Sequence, residues 1–195
     1  VSCALPAVFL SGLALGFLLA GNAAFAYYRY GHLSTLFHLI CLGAAGSLAC
    51  GSITSFGPVW TRAAFQVGSL CTLALLILLH LFFPEPIVHR GVRLTGFLLI
   101  GSTLSLALVF GIGSLMVPSI LKASVLRWLP LVLLGAGIVF IAIALARAYQ
   151  ISSTAITRHQ AGSIVFSGLI GFLPPLIFSL IPHLFVGYPL ITYGT

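Results

Sequence analysis

Apolar residues run through this chain in long unbroken blocks, without the alternation of a half-buried strand or the polar face of a surface helix. Six blocks stand out: residues 3–26, 33–51, 63–83, 94–117, 125–146 and 161–185. Only the fifth holds a formal charge, Arg127, close to its start. Each block is near or above the roughly 20 residues that a helix needs to cross a bilayer. Transmembrane strands would be about half as long and would alternate in polarity. A helix satisfies its backbone groups internally, as hydrocarbon surroundings demand. The pattern therefore predicts an all-α fold: a polytopic membrane helix bundle of about six transmembrane helices, forming a single domain over residues 1–195.

Composition agrees with the pattern. Of 195 residues, 61% are hydrophobic and 5% are charged. A soluble domain carries roughly 25% charged residues, so this chain cannot build a water-facing shell. The bilayer is its expected partner. The net charge of +7 does not point to nucleic acid, because the cations are scattered between the apolar blocks as membrane anchors are. They are Arg29, Arg62, Arg90, Arg93, Lys122, Arg127, Arg147 and Arg158, and the single acid is Glu85. Trp60, Trp128, Tyr27, Tyr28, Tyr30 and Tyr188 gather at block ends, as an interfacial aromatic belt does.

The first block also carries Ala24-Phe25-Ala26, which resembles a signal-peptide cleavage site. No cation precedes it and the run is long for a signal peptide, so a retained span is expected. Arg29, Arg90, Arg93, Arg147 and Arg158 fall in odd-numbered connections; Arg62 and Lys122 fall in even-numbered ones, and Arg127, at the start of the fifth block, lies on the same side as these two. Excess positive charge marks the cytoplasmic side, so the expected topology is a multi-pass cell-membrane protein with its N-terminus outside. Six spans then leave the uncharged tail from Tyr188 to Thr195 outside, where it reads as a lead into a seventh helix. The start at Val1 and this tail together suggest a piece of a longer protein.

Small residues recur at four-residue spacing: Gly12, Gly16, Ala20 and Ala24 in the first block, Gly43, Ser47 and Gly51 in the second, Ser163, Ser167 and Gly171 in the sixth. Lipid supplies no hydrophobic force between helices, and such stripes let backbones approach. Packing within the chain is the expected use, a homodimer the alternative. Pro174, Pro175 and Pro182 should kink the last block.

The inventory for chemistry is thin. One acid excludes a carboxylate pair and an oxygen cage for calcium or magnesium. Glu85 lies between Pro84 and Pro86, in a turn. No phosphate-binding glycine loop is present. His32, His89 and His159 sit in connections, His80 near the end of the third block, and His183 near that of the sixth. His38 lies one turn from Cys41, a spacing that could start a metal site but more often reflects packing. Cys3, Cys41, Cys50 and Cys71 show no CxxC spacing and read as small apolar residues. No catalytic, cofactor-binding or metal residue is therefore assigned, and no cofactor is expected.

Two stretches carry a family resemblance. Pro58-Val59-Trp60-Thr61-Arg62-Ala63-Ala64-Phe65, running on to Leu78-Leu79-His80-Leu81-Phe82-Phe83-Pro84-Glu85-Pro86, resembles the helix ending "LLHFFLxFP" in the multi-spanning N-terminal sensor region of bacterial histidine kinases. Thr157-Arg158-His159-Gln160, followed by Ser167-Gly168-Leu169-Ile170-Gly171-Phe172-Leu173-Pro174-Pro175, is similar to the "RRQ … G-x-x-x-G-x-x-P" element of the same regions, with Thr157 where an Arg is common. The resemblance implies a seven-helix sensor in a bacterial inner membrane, followed by a cytoplasmic kinase region that works with a response regulator. No phosphoacceptor helix or ATP-binding motif lies within this chain. The expected function is thus a membrane-embedded signal-input module of two-component signalling. The alternatives are a small transporter, which would need polar groups such as His38, Ser102, Thr103, Ser105 and Ser167 to converge, and a structural subunit of a membrane complex.

Overall fold

The computed structural model describes residues 4–27, 31–54, 59–84, 86–116, 124–152 and 154–175. Among them the chain is all-helical, in six helices: α1 (Ala4–Tyr27), α2 (His32–Thr54), α3 (Val59–Phe82), α4 (Arg90–Met116), α5 (Ser124–Ile151) and α6 (Ala155–Pro175). The expected spans match these helices one for one. Four stretches are long and apolar enough to cross a membrane: His32–Ile53, Ala63–Phe82, Arg90–Ser114 and Val132–Ile151. In α1 the apolar run among the described side chains is the shorter Leu10–Ala26. In α6 the described helix reaches Pro174 and Pro175, its last two residues. The rest of the sixth block, with Pro182 and His183, lies outside the described residues, as do Glu85, Lys122 and the Tyr188–Thr195 tail.

Helices α2 to α5 are longer than their apolar blocks, and α6 begins before its block does. Arg90 and Arg93 belong to α4, Arg147 to α5, and Arg158, His159 and Gln160 to α6, where loops had been expected. The reason is geometric. An apolar block measures hydrocarbon thickness, about 30 Å, whereas the 27 residues of α4 span about 40 Å at 1.5 Å each. The backbone ladder simply continues into the head-group layer, carrying its cations with it.

Helices α1 to α4 pack in sequence, each against the next; α5 leans on α3 and α4, and α6 touches only α5 among the described residues. The α2–α3 seam is reciprocal. A Cβ built on Gly43 would stand 2.8 Å from Thr72 Oγ1, and one built on Gly68 would strike Ser47 Oγ. Each hydroxyl donates back to the glycine four residues earlier on its own helix, Ser47 to the Gly43 carbonyl at 2.7 Å and Thr72 to the Gly68 carbonyl at 2.8 Å. Each helix thus offers a glycine notch and a satisfied hydroxyl to the other. Gly51 receives the Phe65 ring in the same way. The α2 stripe therefore serves packing within the chain, as expected.

The α1 stripe does not. Nothing stands within 4 Å of a Cβ built on Gly12 or Gly16; α1 instead turns Leu10, Ala14 and Gly21 inward. In α6, Ser163 is exposed, and the side chains of Ser167 and Gly171 lie outside the described set. Three apolar clusters stack along the bundle: Leu70, Leu106, Ala107 and Phe110; then Leu73, Ile77, Leu81 and Phe140; then Leu145, Ala148 and Ala161. Large apolar side chains such as Leu98, Leu108, Val132 and Val139 point outward. A surface of this kind belongs in lipid, and the chain is a membrane protein.

Candidate functional site

Antiparallel pairing of α1 with α2 brings Gly21 against His38 and Cys41. A Cβ on Gly21 would meet Cys41 Cβ at 2.6 Å and His38 Nδ1 at 3.4 Å. The His38 ring tilts against Phe25, with centroids 4.9 Å apart. Its Nδ1 is buried without a hydrogen-bond partner. The glycine lets the two helices close over the ring, and the pair works as a packing knob. Among the described residues no three His, Cys, Asp or Glu side chains gather as metal ligands would.

His80 lies deeper than its place near the end of the third block suggested. It is 6% exposed, beside Leu81 of the middle apolar cluster. Its Nδ1 is 2.8 Å from the Leu76 carbonyl, so Nδ1 carries the proton and donates. Nε2 is then left as a buried acceptor, and it has no partner. Periodicity could have indicated this burial, since Leu73, Ile77, His80 and Leu81 share one helical face.

Two of the hydroxyls that could have lined a polar path, Ser102 and Thr103, are satisfied within their own helix. Ser102 donates to Leu98 O at 2.8 Å, and Thr103 to Leu99 O and Ile100 O at 3.0 and 2.9 Å. Thr103 is fully buried, whereas Ser102 and Ser105 face outward. His38, on the α1–α2 seam, is not brought to them.

What the fold does gather is a basic rim. The α3–α4 connection and the end of α5 line one cleft, with His89 and Val88 on one side and Arg147, Ala148 and Ile151 on the other. The end of α5 and the start of α6 line a second, of about 640 Å³, which includes Tyr149, Arg158, His159, Gly162 and Phe166. Arg90 and Arg93 are exposed at the same end of the bundle. These cations face no carboxylate among the described residues, since Glu85 is the only acidic side chain in the sequence. The chain order separates these residues, and the fold brings His89 beside Arg147 in one cleft and Arg158 with His159 beside Tyr149 in the other.

Comparison with protein-family models, with curated proteins and with solved structures found no match.

Proposed function

We propose that this chain is a membrane-embedded signal-input module, in which a stimulus shifts the balance between two packings of the bundle. One observation carries the reading: the α5–α6 hairpin is attached to the rest through a narrow seam. Leu73 of α3 faces Gly137 of α5, where a built Cβ would stand 2.7 Å away. Leu81 of α3 and Phe140 of α5 meet over Gly96 of α4. The hairpin meets the other helices through α5, and α6 packs only on α5 among the described residues. A ligand or bilayer change that favours one arrangement would shift its population. The self-satisfied hydroxyls of α4 argue against a polar conduit and hence against transport. The likeness of two stretches to kinase sensor regions supports the same reading, with catalysis assigned to a further region of a longer protein.

The orientation belongs to this proposal. The α3–α4 connection and the α5–α6 turn lie at one end of the bundle, and the basic rim lies there. With the positive excess inside, that end is cytoplasmic and the N-terminus is outside.

Spin labels at Leu98 of α4 and Val165 of α6, both exposed, test the mechanism in liposomes of differing acyl length. Signal input expects two distance populations whose ratio shifts with the bilayer. A single invariant distribution together with solute flux would move the protein to the transporter class. Reading the gene past the Thr195 codon tests the wider claim: an in-frame seventh span and a kinase region are expected, and an immediate stop would count against it.

A further inference from the structure

We propose that the cleft between the end of α5 and the first turns of α6 binds one anionic phospholipid, its phosphate on Arg158 and His159 and an acyl chain along Gly162 and Phe166. The inference rests on membrane embedding alone and does not need the signalling reading.

The cleft is graded along one face of α6. Arg158, His159, Gly162, Ser163 and Phe166 follow the helical repeat of three and four residues. Arg158 and Phe166 are eight residues apart, about 12 Å along the axis. The face thus passes from cationic, through small, to aromatic, which is the order of head group, glycerol and acyl chain in a lipid leaflet. Tyr149 of α5 forms the opposite wall, 3.9 Å from a Cβ built on Gly162. The small residue at 162 keeps the groove open.

Arg158 is held in place for the task. Its Nε donates to the Ser152 carbonyl at 2.9 Å, which fixes the guanidinium at the α5–α6 turn. The remaining four N–H donors of the group meet no carboxylate among the described residues, which hold none of the chain's acidic side chains. A phosphate accepts from such a fork in bidentate fashion. Basic recesses between membrane helices are suited to acidic head groups. Tyr149 and Phe166 are 57% and 66% exposed, so the apolar end of the groove is open to a chain arriving from the bilayer.

Native mass spectrometry of the purified protein with mixed phosphatidylglycerol and phosphatidylcholine tests the site. The unaltered chain should retain one phosphatidylglycerol with a preference of about tenfold, and Arg158→Gln should abolish most of that preference, the size expected for one charge-assisted contact. Arg158→Lys keeps the charge but gives up the planar fork and the bond to Ser152, so it should keep less of the preference than the unaltered chain. Phe166→Ala should weaken both lipids alike. Arg90→Gln, at the same end of the bundle, should change nothing. The proposal is overturned if Arg90→Gln costs as much as Arg158→Gln, because the attraction is then diffuse. It is equally overturned if Arg158→Gln has no effect, or if inorganic phosphate displaces the lipid at matching concentration.

Discussion

Glycines on this chain serve opposite purposes, and substitution separates them. At Gly68 a methyl group would collide with Ser47 Oγ and press on Ser47 Cβ at 3.3 Å, so the serine or the helix that carries it must shift. Overpacking of this kind costs about 1–3 kcal/mol, and Gly68→Ala should lose that much in an unfolding assay in bicelles. Gly12 faces open space, and Ala is the better helix former, so Gly12→Ala should be neutral or stabilising by up to about 1 kcal/mol. A loss at Gly12 comparable with that at Gly68 would mean that a second copy covers the α1 stripe. His80 offers a different test. A buried acceptor without a donor costs about 1–3 kcal/mol, so His80→Leu should raise stability by about 1 kcal/mol. Greater stability combined with loss of the response to the bilayer would mark His80 as a working residue.

Elements differ in how firmly they are held. Helix α3 lies at the centre, against α2, α4 and α5, whereas α6 depends on α5 alone among the described residues. In a bilayer the transfer term for an apolar side chain is nearly absent, because lipid is as apolar as the core; packing contacts remain. Phe140→Ala should therefore cost about 1–2 kcal/mol, below the ~3–5 kcal/mol of water-soluble cores. Its effect should fall on the hairpin: the Leu98–Val165 distance distribution should broaden, while a pair on α2 and α3 should keep its width. Equal broadening at both pairs would show that the bundle yields as one unit.

The whole molecule is asymmetric from end to end. The described end formed by the α3–α4 connection and the α5–α6 turn carries Arg90, Arg93, Arg147 and Arg158. If that end is cytoplasmic, single cysteines at positions 90 and 158, in a background without the native cysteines, should resist an impermeant thiol reagent in whole cells and react after lysis. Rapid labelling in intact cells would invert the orientation.

Element number and type were legible in the chain, because apolar block length reports hydrocarbon thickness and lipid permits few backbone solutions. The α2 stripe of Gly43, Ser47 and Gly51 was legible too, since small residues at fixed spacing leave room for a neighbour. Helix ends were not: hydropathy falls at the head groups, whereas the hydrogen-bond ladder runs on through Arg90, Arg147 and Arg158. Nor could spacing alone tell the α1 stripe, which faces outward, from the α2 stripe, which is packed. Which face of a helix meets another depends on rotation about its axis, and only the contacts of the assembled bundle set that angle. The same holds for the rim. Arg147 and His89 are far apart in the chain, and so are Tyr149 and Phe166. They become two clefts only because α3, α5 and α6 bring their ends to one level.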